Sequence, residues 1–457
     1  MSVSKILIAN RGEIAVRIIR AARKLGLTTA QVFSQADRDM LAVKLADEAV
    51  EIGPSPAKKS YLNAEAILRA AAAVGADAIH PGYGFLSENA DFAASVKAAG
   101  LTFIGPSADT IRLVGDKARA REVAARAGVP TVPGSQDRLT DFSRALTLGR
   151  RIGFPLVIKA SAGGGGRGIR VAEDGDALGN LLPEAAAEAK AAFGDDGLYL
   201  ERFIARARHI EVQILGDGED AIHLYERECS LQRRRQKVWE EAPAETLPAC
   251  ARERLCAAAV RLARAVAYCG VGTVEYLYDD ATQEFFFIEM NTRIQVEHPV
   301  TEMVTGVDLV CEMIRLAAGE KLHIRQDEVA LKGHAIECRI NAEDPAKEFK
   351  PAPGVATTLR VPSEPGVRFD TMLYPGCVVP PFYDSLLGKL IAWDETRQAA
   401  LARLDRALGE LEVGGIPTTL PLHGALVRDA DVAAARFHTR WLETWLETHP
   451  LANNARL

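Results

Sequence analysis

FFFIEMNTRIQVEHPVTEM, residues 285–303, decides how this chain is read. Its acidic and polar side chains fall at Glu289, Asn291, Arg293, Gln295 and Glu297, every second position. Alternate side chains of an extended backbone share a face, so this spacing predicts a set aimed at one site. Phe285, Phe286, Phe287 and Ile288 precede it and read as a buried strand. A core strand that runs out into two carboxylates, an amide and a guanidinium is costly unless it meets something charged. Oxygen donors of this kind suit magnesium, which binds one or two carboxylates together with substrate phosphates.

The neighbouring segments supply partners. GVGTVEYLYD, 270–279, reads as a strand carrying Glu275, and a turn at Asp279-Asp280 folds it onto the FFFIEM strand. Glu275 and Glu289 then meet across the hairpin, two carboxylates for one or two metal ions. RHIEVQIL, 208–215, alternates His209 and Glu211 on another strand, and GLYLERFI, 197–204, offers Glu201 with apolar walls at Phe203 and Ile204. CSLQRRRQKVWEEAP, 229–243, packs Arg, Lys and Glu together. With a phosphate site already implied, these cations read as phosphate ligands rather than as a solvated charge run. LVIKASAGGGGRGIRVAE, 156–173, places Lys159 on the first strand of a hairpin with a glycine turn. That turn reads either as a plain flexible hairpin or as a lid whose backbone N–H groups order over phosphates.

Further out, the N-terminal residues alternate strands (KILIA, TAQVFS, AVEIG, ADAIHPG, TFIGP) with helices, which predicts a parallel sheet covered by helices. Ligands of such sheets bind beyond the carboxyl ends of the strands, where Asn10-Arg11-Gly12 and HPGYGFLSEN, 80–89, fall; the latter reads either as a plain glycine-rich turn or as a substrate-facing loop. A Pro/Gly-marked boundary near residue 130 opens a small inserted unit, and short Gly- and Pro-punctuated strands follow from about 331. The expected boundaries are 1–114, 115–330 with the insertion at about 131–203, and 331–446. The fold class is α/β (α+β): an open parallel N-terminal domain, a central domain with a glycine-rich lid, and an antiparallel or barrel-like C-terminal domain.

Bulk properties exclude several classes. A net charge of −6 argues against nucleic acid. No apolar run spans a membrane and no signal peptide is evident, so the expected location is cytoplasmic. The seven cysteines are scattered, with no CxxC, and indicate neither disulfides nor zinc.

Together these segments resemble the biotin carboxylases, carboxylating enzymes of the ATP-grasp class. The resemblance is carried by KILIANRGEIAVRIIRA, HPGYGFLSEN, KASAGGGGRG, RHIEVQIL, RRRQKV, EEAP, FIEMNTRIQVEHPVTE, ECRINAED and PPFYDSLLGKLI, and covers nearly the whole chain. It implies an ATP-grasp central domain and carboxylation of biotin with ATP and bicarbonate. Lys117, Lys159, Gly164, Gly165 and Gly166 would contact ATP phosphates, and Glu201, Phe203, Ile204, His209, Gln232 and Lys237 would line the nucleotide pocket. Glu275, Glu289 and Asn291 would hold Mg2+ (or Mn2+). Arg293, Gln295 and Val296 would hold bicarbonate, Glu297 would be the general base, and Arg339 would face bicarbonate and the biotin ureido oxygen. Two departures stand out: Ala162 replaces a frequent lid glycine, and Arg235 replaces a position usually His or Asn. The former implies a stiffer lid and the latter altered nucleotide affinity.

The chain contains no Met-Lys-Met biotin-attachment segment, so biotin is expected on a separate carrier protein, with carboxyltransferase subunits as further partners. The resemblance also implies a homodimer. Acetyl-CoA, propionyl-CoA and pyruvate all stay open as final acceptors. Another ATP-grasp ligase and a catalytically silent regulatory subunit are the alternatives.

Overall fold

The computed structural model describes residues 3–135, 138–160, 170–193 and 195–451. Strands β1 (Lys5–Ile8), β2 (Thr28–Ser34), β3 (Glu48–Gly53), β4 (Ala78–His80) and β5 (Thr102–Phe103) form a wholly parallel sheet in the order β3-β2-β1-β4-β5. Ile14 and Ile18, one helical turn apart on Gly12–Lys24, bury against Ile6 and Ile8 of β1. The strand order reverses between β2 and β4, and the loops after β1 and β4 meet there. The Asn10 amide joins them by donating to Pro81 O at 2.6 Å and Tyr83 O at 2.7 Å. This is the position at which open α/β sheets bind ligands.

The helix Lys117–Arg126 opens the central region, with Asp116 accepting from the N–H groups of Ala118 and Arg119. The inserted unit is a three-stranded antiparallel sheet of β6 (Leu156–Ala160), β7 (Arg170–Ala172) and β8 (Leu198–Arg202), in the order β7-β6-β8. The helices Phe142–Ile152 and Gly175–Phe193 pack on it through Ala145, Leu178 and Leu182. The glycine turn, with Ala162 and Gly164 to Gly166, lies outside the described residues.

The site depends on one long antiparallel sheet. Its central strands are β9 (Ala207–Asp217), β10 (Ala221–Arg233), β11 (Gln236–Ala242), β12 (Cys269–Asp279), β13 (Glu284–Asn291) and β14 (His334–Asn341). The rest of the chain adds β15 (Glu343–Asp344), β16 (Lys350–Pro351), β17 (Gly354–Ala356), β18 (Thr358–Arg360), β19 (Val367–Thr371), β20 (Cys377–Val379), β21 (Leu386–Asp394) and β22 (Glu412–Gly414). The order is β13-β12-β9-β10-β11-β14-β21-β19, and the other six C-terminal short strands pair with one another in three two-stranded ladders, β15-β16, β17-β20 and β18-β22. The C-terminal region is therefore antiparallel, as expected. Its principal strands, however, extend the central sheet through the β11–β14 pairing instead of forming a separate cap.

Period-two alternation explains why that junction forms. Ile336, Cys338 and Ile340 of β14 bury with Trp239, Leu390, Ala400 and Leu404, which leaves Glu337 and Arg339 on the opposite face. Glu241 ties the junction to the helix Arg397–Glu410. Its carboxylate accepts two bonds from Arg397, at 2.6 and 2.9 Å, and faces His334 Nε2 at 3.0 Å. Among the described residues, no helix is long and apolar enough to cross a membrane.

Candidate active site

At the centre lies the Lys237 ammonium, on β11. It donates to Glu211 Oε2 at 2.5 Å, Glu297 Oε1 at 2.6 Å and Glu275 Oε1 at 3.1 Å. Glu211 and Glu275 are register partners on β9 and β12, so the sheet itself brings these two carboxylates together. Glu297 arrives from outside the sheet, immediately before the helix His298–Thr305. Burial alone would raise the Glu297 carboxyl. Lys237 and Arg339 overcome that and hold it well below the usual carboxylate range. The Glu275 carboxyl is depressed in the same way, burial being outweighed by Lys237 and His209. Behind them the fully buried Arg227 guanidinium donates to Glu211 and Gln213, each at 2.6 Å, and to Thr301 at 2.9 Å.

Arg339, on β14, bridges two acids. Its Nε donates to Glu240 Oε1 at 2.6 Å and its Nη2 to Glu297 Oε2 at 2.9 Å. Glu240 sits directly across the ladder from Glu337, and both are buried. Among the described residues neither Glu337 oxygen has a hydrogen-bond partner, and burial pushes that carboxyl well up despite Lys389. Burial also pushes the Glu240 carboxyl up, to about 7, against the pull of Arg339.

The hairpin of β12 and β13 forms as expected, with Glu275 opposite Glu289 and Thr273 opposite Asn291. Asn291 Nδ2 and Gln295 Nε2 both donate to Glu275 Oε1, at 3.0 and 2.9 Å. Glu289 makes no hydrogen bond among the described residues, and burial followed by the Glu275 charge raises its carboxyl. Two facing carboxylates beside an amide oxygen form an all-oxygen donor set, and a divalent cation between them would relieve this repulsion. The residues thus fit magnesium. The tighter group His209, Glu211 and Glu275 also has metal-ligand spacing, but the Lys237 ammonium already contacts both of its carboxylates.

The alternating pattern does not run the length of the FFFIEMNTRIQVEHP segment. β13 ends at Asn291, so only Glu289 and Asn291 share a strand face, and residues 292–297 form a turn-rich loop. Strand geometry is lost because the backbone must bend before the helix that begins at His298 with Pro299 in its first turn. The loop nonetheless returns its side chains to the site. Arg293 donates to Gln295 Oε1 at 2.8 Å, to Asn291 Oδ1 at 3.1 Å and to Glu88 Oε2 at 2.9 Å. Glu88 belongs to the HPGYGFLSEN loop, so that loop does face the site.

The expected nucleotide residues fall into two groups: His209, Gln232 and Lys237 lie in or beside this cluster, and Lys159, Glu201, Phe203 and Ile204 lie on or just beyond the inserted sheet. Lys159 on β6 pairs with Glu201 on β8, which also receives Arg121. His209 Nε2 lies 3.0 Å from Glu275 Oε2, and its Nδ1 lies 3.1 Å from Gln232 Nε2. Phe203 and Ile204 are half-buried just beyond β8. Lys117 is exposed at the start of its helix, and its charge only partly offsets the rise of the Glu289 carboxyl. Arg235 lies at the exposed tip of the two-residue turn between β10 and β11, where Arg234 and Arg235 have φ of 49° and 65°. Left-handed backbone of this kind favours Asn over Arg. Sequence reasoning missed Arg227, Glu240, Glu337 and Lys389 as members of the charged cluster. The one available signal was the spacing of Glu337 and Arg339, two positions apart on a strand.

Comparison with known proteins agrees with this architecture. Three family models match: "Biotin carboxylase, N-terminal domain" over residues 2–111, "Carbamoyl-phosphate synthase L chain, ATP binding domain" over 116–325, and "Biotin carboxylase C-terminal domain" over 337–444. Biotin carboxylase of Pseudomonas aeruginosa is 54% identical over 441 residues, 96% of this chain and 98% of that protein. The bicarbonate-bound biotin carboxylase domain of a thermophilic 2-oxoglutarate carboxylase superimposes with a TM-score of 0.93 at 45% identity, covering 98% of this chain and 99% of the other. A Campylobacter jejuni biotin carboxylase complexed with a β,γ-ATP compound gives 0.90 at 45% identity, covering 97% and 99%.

Glu240 has a consequence in solution. Between the ordinary carboxyl value of 4.5 and about 7, the folded chain holds a proton on Glu240 that the unfolded chain has released. Its stabilising contribution is fully present below that window and is lost as pH rises through it. Urea midpoints should therefore fall further between about pH 5 and pH 8 in the wild type than in Glu240→Gln. Parallel falls would contradict the assignment.

Proposed function

The chain belongs to the biotin carboxylase family, and from that premise we propose that it carboxylates biotin with ATP and bicarbonate, the biotin being presented by a separate carrier protein. The observation that carries this reading is Glu297, an ionised carboxylate gripped by Lys237 and Arg339 beside the facing pair Glu275 and Glu289. Bicarbonate is a poor electrophile and requires activation before its carbon can be transferred. In our reading Glu297 takes the bicarbonate hydroxyl proton while a bicarbonate oxygen attacks the γ-phosphorus of ATP. The bond from that phosphorus to the β-phosphate oxygen breaks, ADP leaves and carboxyphosphate remains. Cleavage of its C–O bond gives carbon dioxide and phosphate. The phosphate removes the ureido N1 proton of biotin, N1 attacks carbon dioxide, and Arg339 balances the charge on the ureido oxygen.

Glu297 in its resting state is a weak base, because two cations hold its proton affinity down. Anionic substrates entering beside it would draw on Lys237 and Arg339 and raise that affinity when a base is needed. Arg293, Gln295 and Val296 are assigned to bicarbonate. Lys117, Lys159, Gly164 to Gly166, Glu201, Phe203, Ile204, His209, Gln232 and Lys237 are assigned to the nucleotide. Glu275, Glu289 and Asn291 would hold magnesium, which when bound offsets negative charge on the phosphates. The carrier's biotin would pass to carboxyltransferase subunits, with acetyl-CoA and fatty acid synthesis as the proposed destination. We also propose a cytoplasmic homodimer; a light-scattering mass near that of one 49.3 kDa chain would refute it.

ADP release with magnesium and ATP should require bicarbonate and rise steeply on adding biotin. Release indifferent to both free biotin and a biotinylated carrier would instead support another ATP-grasp ligase. Glu297→Gln should lose carboxylation while still binding nucleotide; retained turnover would remove Glu297 from the base role.

A further inference from the structure

Val296 is assigned to bicarbonate, yet its side chain is apolar, so only its backbone N–H can serve an anion. Among the described residues that N–H has no acceptor, although Val296 is half-buried. The carbonyls on either side of it are both held. Gln295 C=O, which shares a peptide plane with the Val296 N–H, accepts from His298 Nδ1 at 2.7 Å. Val296 C=O, in the next plane, accepts from Lys389 Nζ at 2.8 Å.

Both donors are fixed by their surroundings. A carbonyl can only accept, so His298 carries its proton on Nδ1. The ring is fully buried, and that burial, together with the charges of Lys389, Arg17 and Arg368, holds it neutral. Lys389 is also fully buried, on β21 opposite Arg339. Its ammonium lies 3.1 Å from Glu13 Oε1, and Glu13 in turn accepts from the Tyr83 hydroxyl. One strut thus runs from the N-terminal domain through the C-terminal strands to the loop before Glu297. It draws in Glu13 and Lys389, from the ANRGE and GKLI segments, neither of which the catalytic reading uses.

We propose that Lys389 and His298 are positioning residues that clamp the two peptide planes flanking Val296, so that its N–H is aimed at bicarbonate before the anion binds. The proposal rests on reading the 293–297 loop as the bicarbonate site. Preset donors cost no reordering on binding. Loss of the clamp should therefore weaken bicarbonate specifically and leave the nucleotide side unaltered.

The test uses the full chain. Lys389→Met alone would strand Glu13, so it is paired with Glu13→Gln to remove both buried charges. The double variant should keep its melting temperature within a few degrees and its ATP KM within about twofold, while bicarbonate KM rises about tenfold. His298→Phe should show the same selective rise. His298→Asn, whose amide can donate from nearly the same position, should recover to within about threefold of wild type. This second pair carries the test alone if the double variant does not fold. A bicarbonate KM within about twofold of wild type in folded variants, or equal impairment in His298→Asn and His298→Phe, would overturn the clamp. A wild type whose ADP release ignores bicarbonate would overturn the reading of the site, and the clamp with it.

Discussion

Everything in this site depends on the Lys237 ammonium standing among Glu211, Glu275 and Glu297. Three buried carboxylates within reach of one another repel and resist ionisation, and desolvation adds to that cost. Lys237 makes the arrangement stable by donating to all three at once. Arg227 supports Glu211 from behind, and Arg339 supports Glu297 from the side. The result is a charged floor in which Lys237 holds the Glu275 and Glu297 carboxyls below their ordinary range and whose cations are already oriented. Incoming anions meet donors that need little rearrangement.

The long antiparallel sheet exists in this form because it delivers those charges to one face. β9, β11, β12 and β14 contribute Glu211, Lys237, Glu275 and Arg339, and β13 contributes Glu289. Each lies on a strand whose alternate residues enter an apolar core, so core packing sets the direction of every site residue. The junction of β11 with β14 is the costly step. It places Glu240 and Glu337 directly opposite each other without solvent. Burial raises both carboxyls against the pull of Arg339 and Lys389, which couples the stability of the sheet to their protonation.

Much of this was legible in the sequence where the controlling interactions are local. The β12–β13 hairpin follows from two apolar runs and an Asp-Asp turn, and with it the meeting of Glu275 and Glu289. The parallel N-terminal sheet follows from strand–helix alternation. The continuation of the central sheet past residue 331 was not legible, because β11 and β14 are distant in the chain and period-two patterns do not name their partners. The alternation from Glu289 to Glu297 was over-read: the helix start at His298 forces the chain out of the strand, and Arg293, Gln295 and Glu297 return by a loop. Lys389 in LLGKLIAW and Glu13 in NRGEIAV look like single charges in apolar runs, and only the tertiary fold shows that they meet.

The central claim is that the energy of ATP enters through an oxygen of bicarbonate. The most direct measurement follows oxygen from bicarbonate labelled with 18O at every position into the phosphate released during biotin carboxylation. The account predicts one labelled oxygen in each phosphate, because that oxygen becomes the bridge of carboxyphosphate and stays with phosphorus when carbon dioxide departs. Phosphate free of label would mean that water, and not bicarbonate, attacks the γ-phosphorus, and would contradict the account.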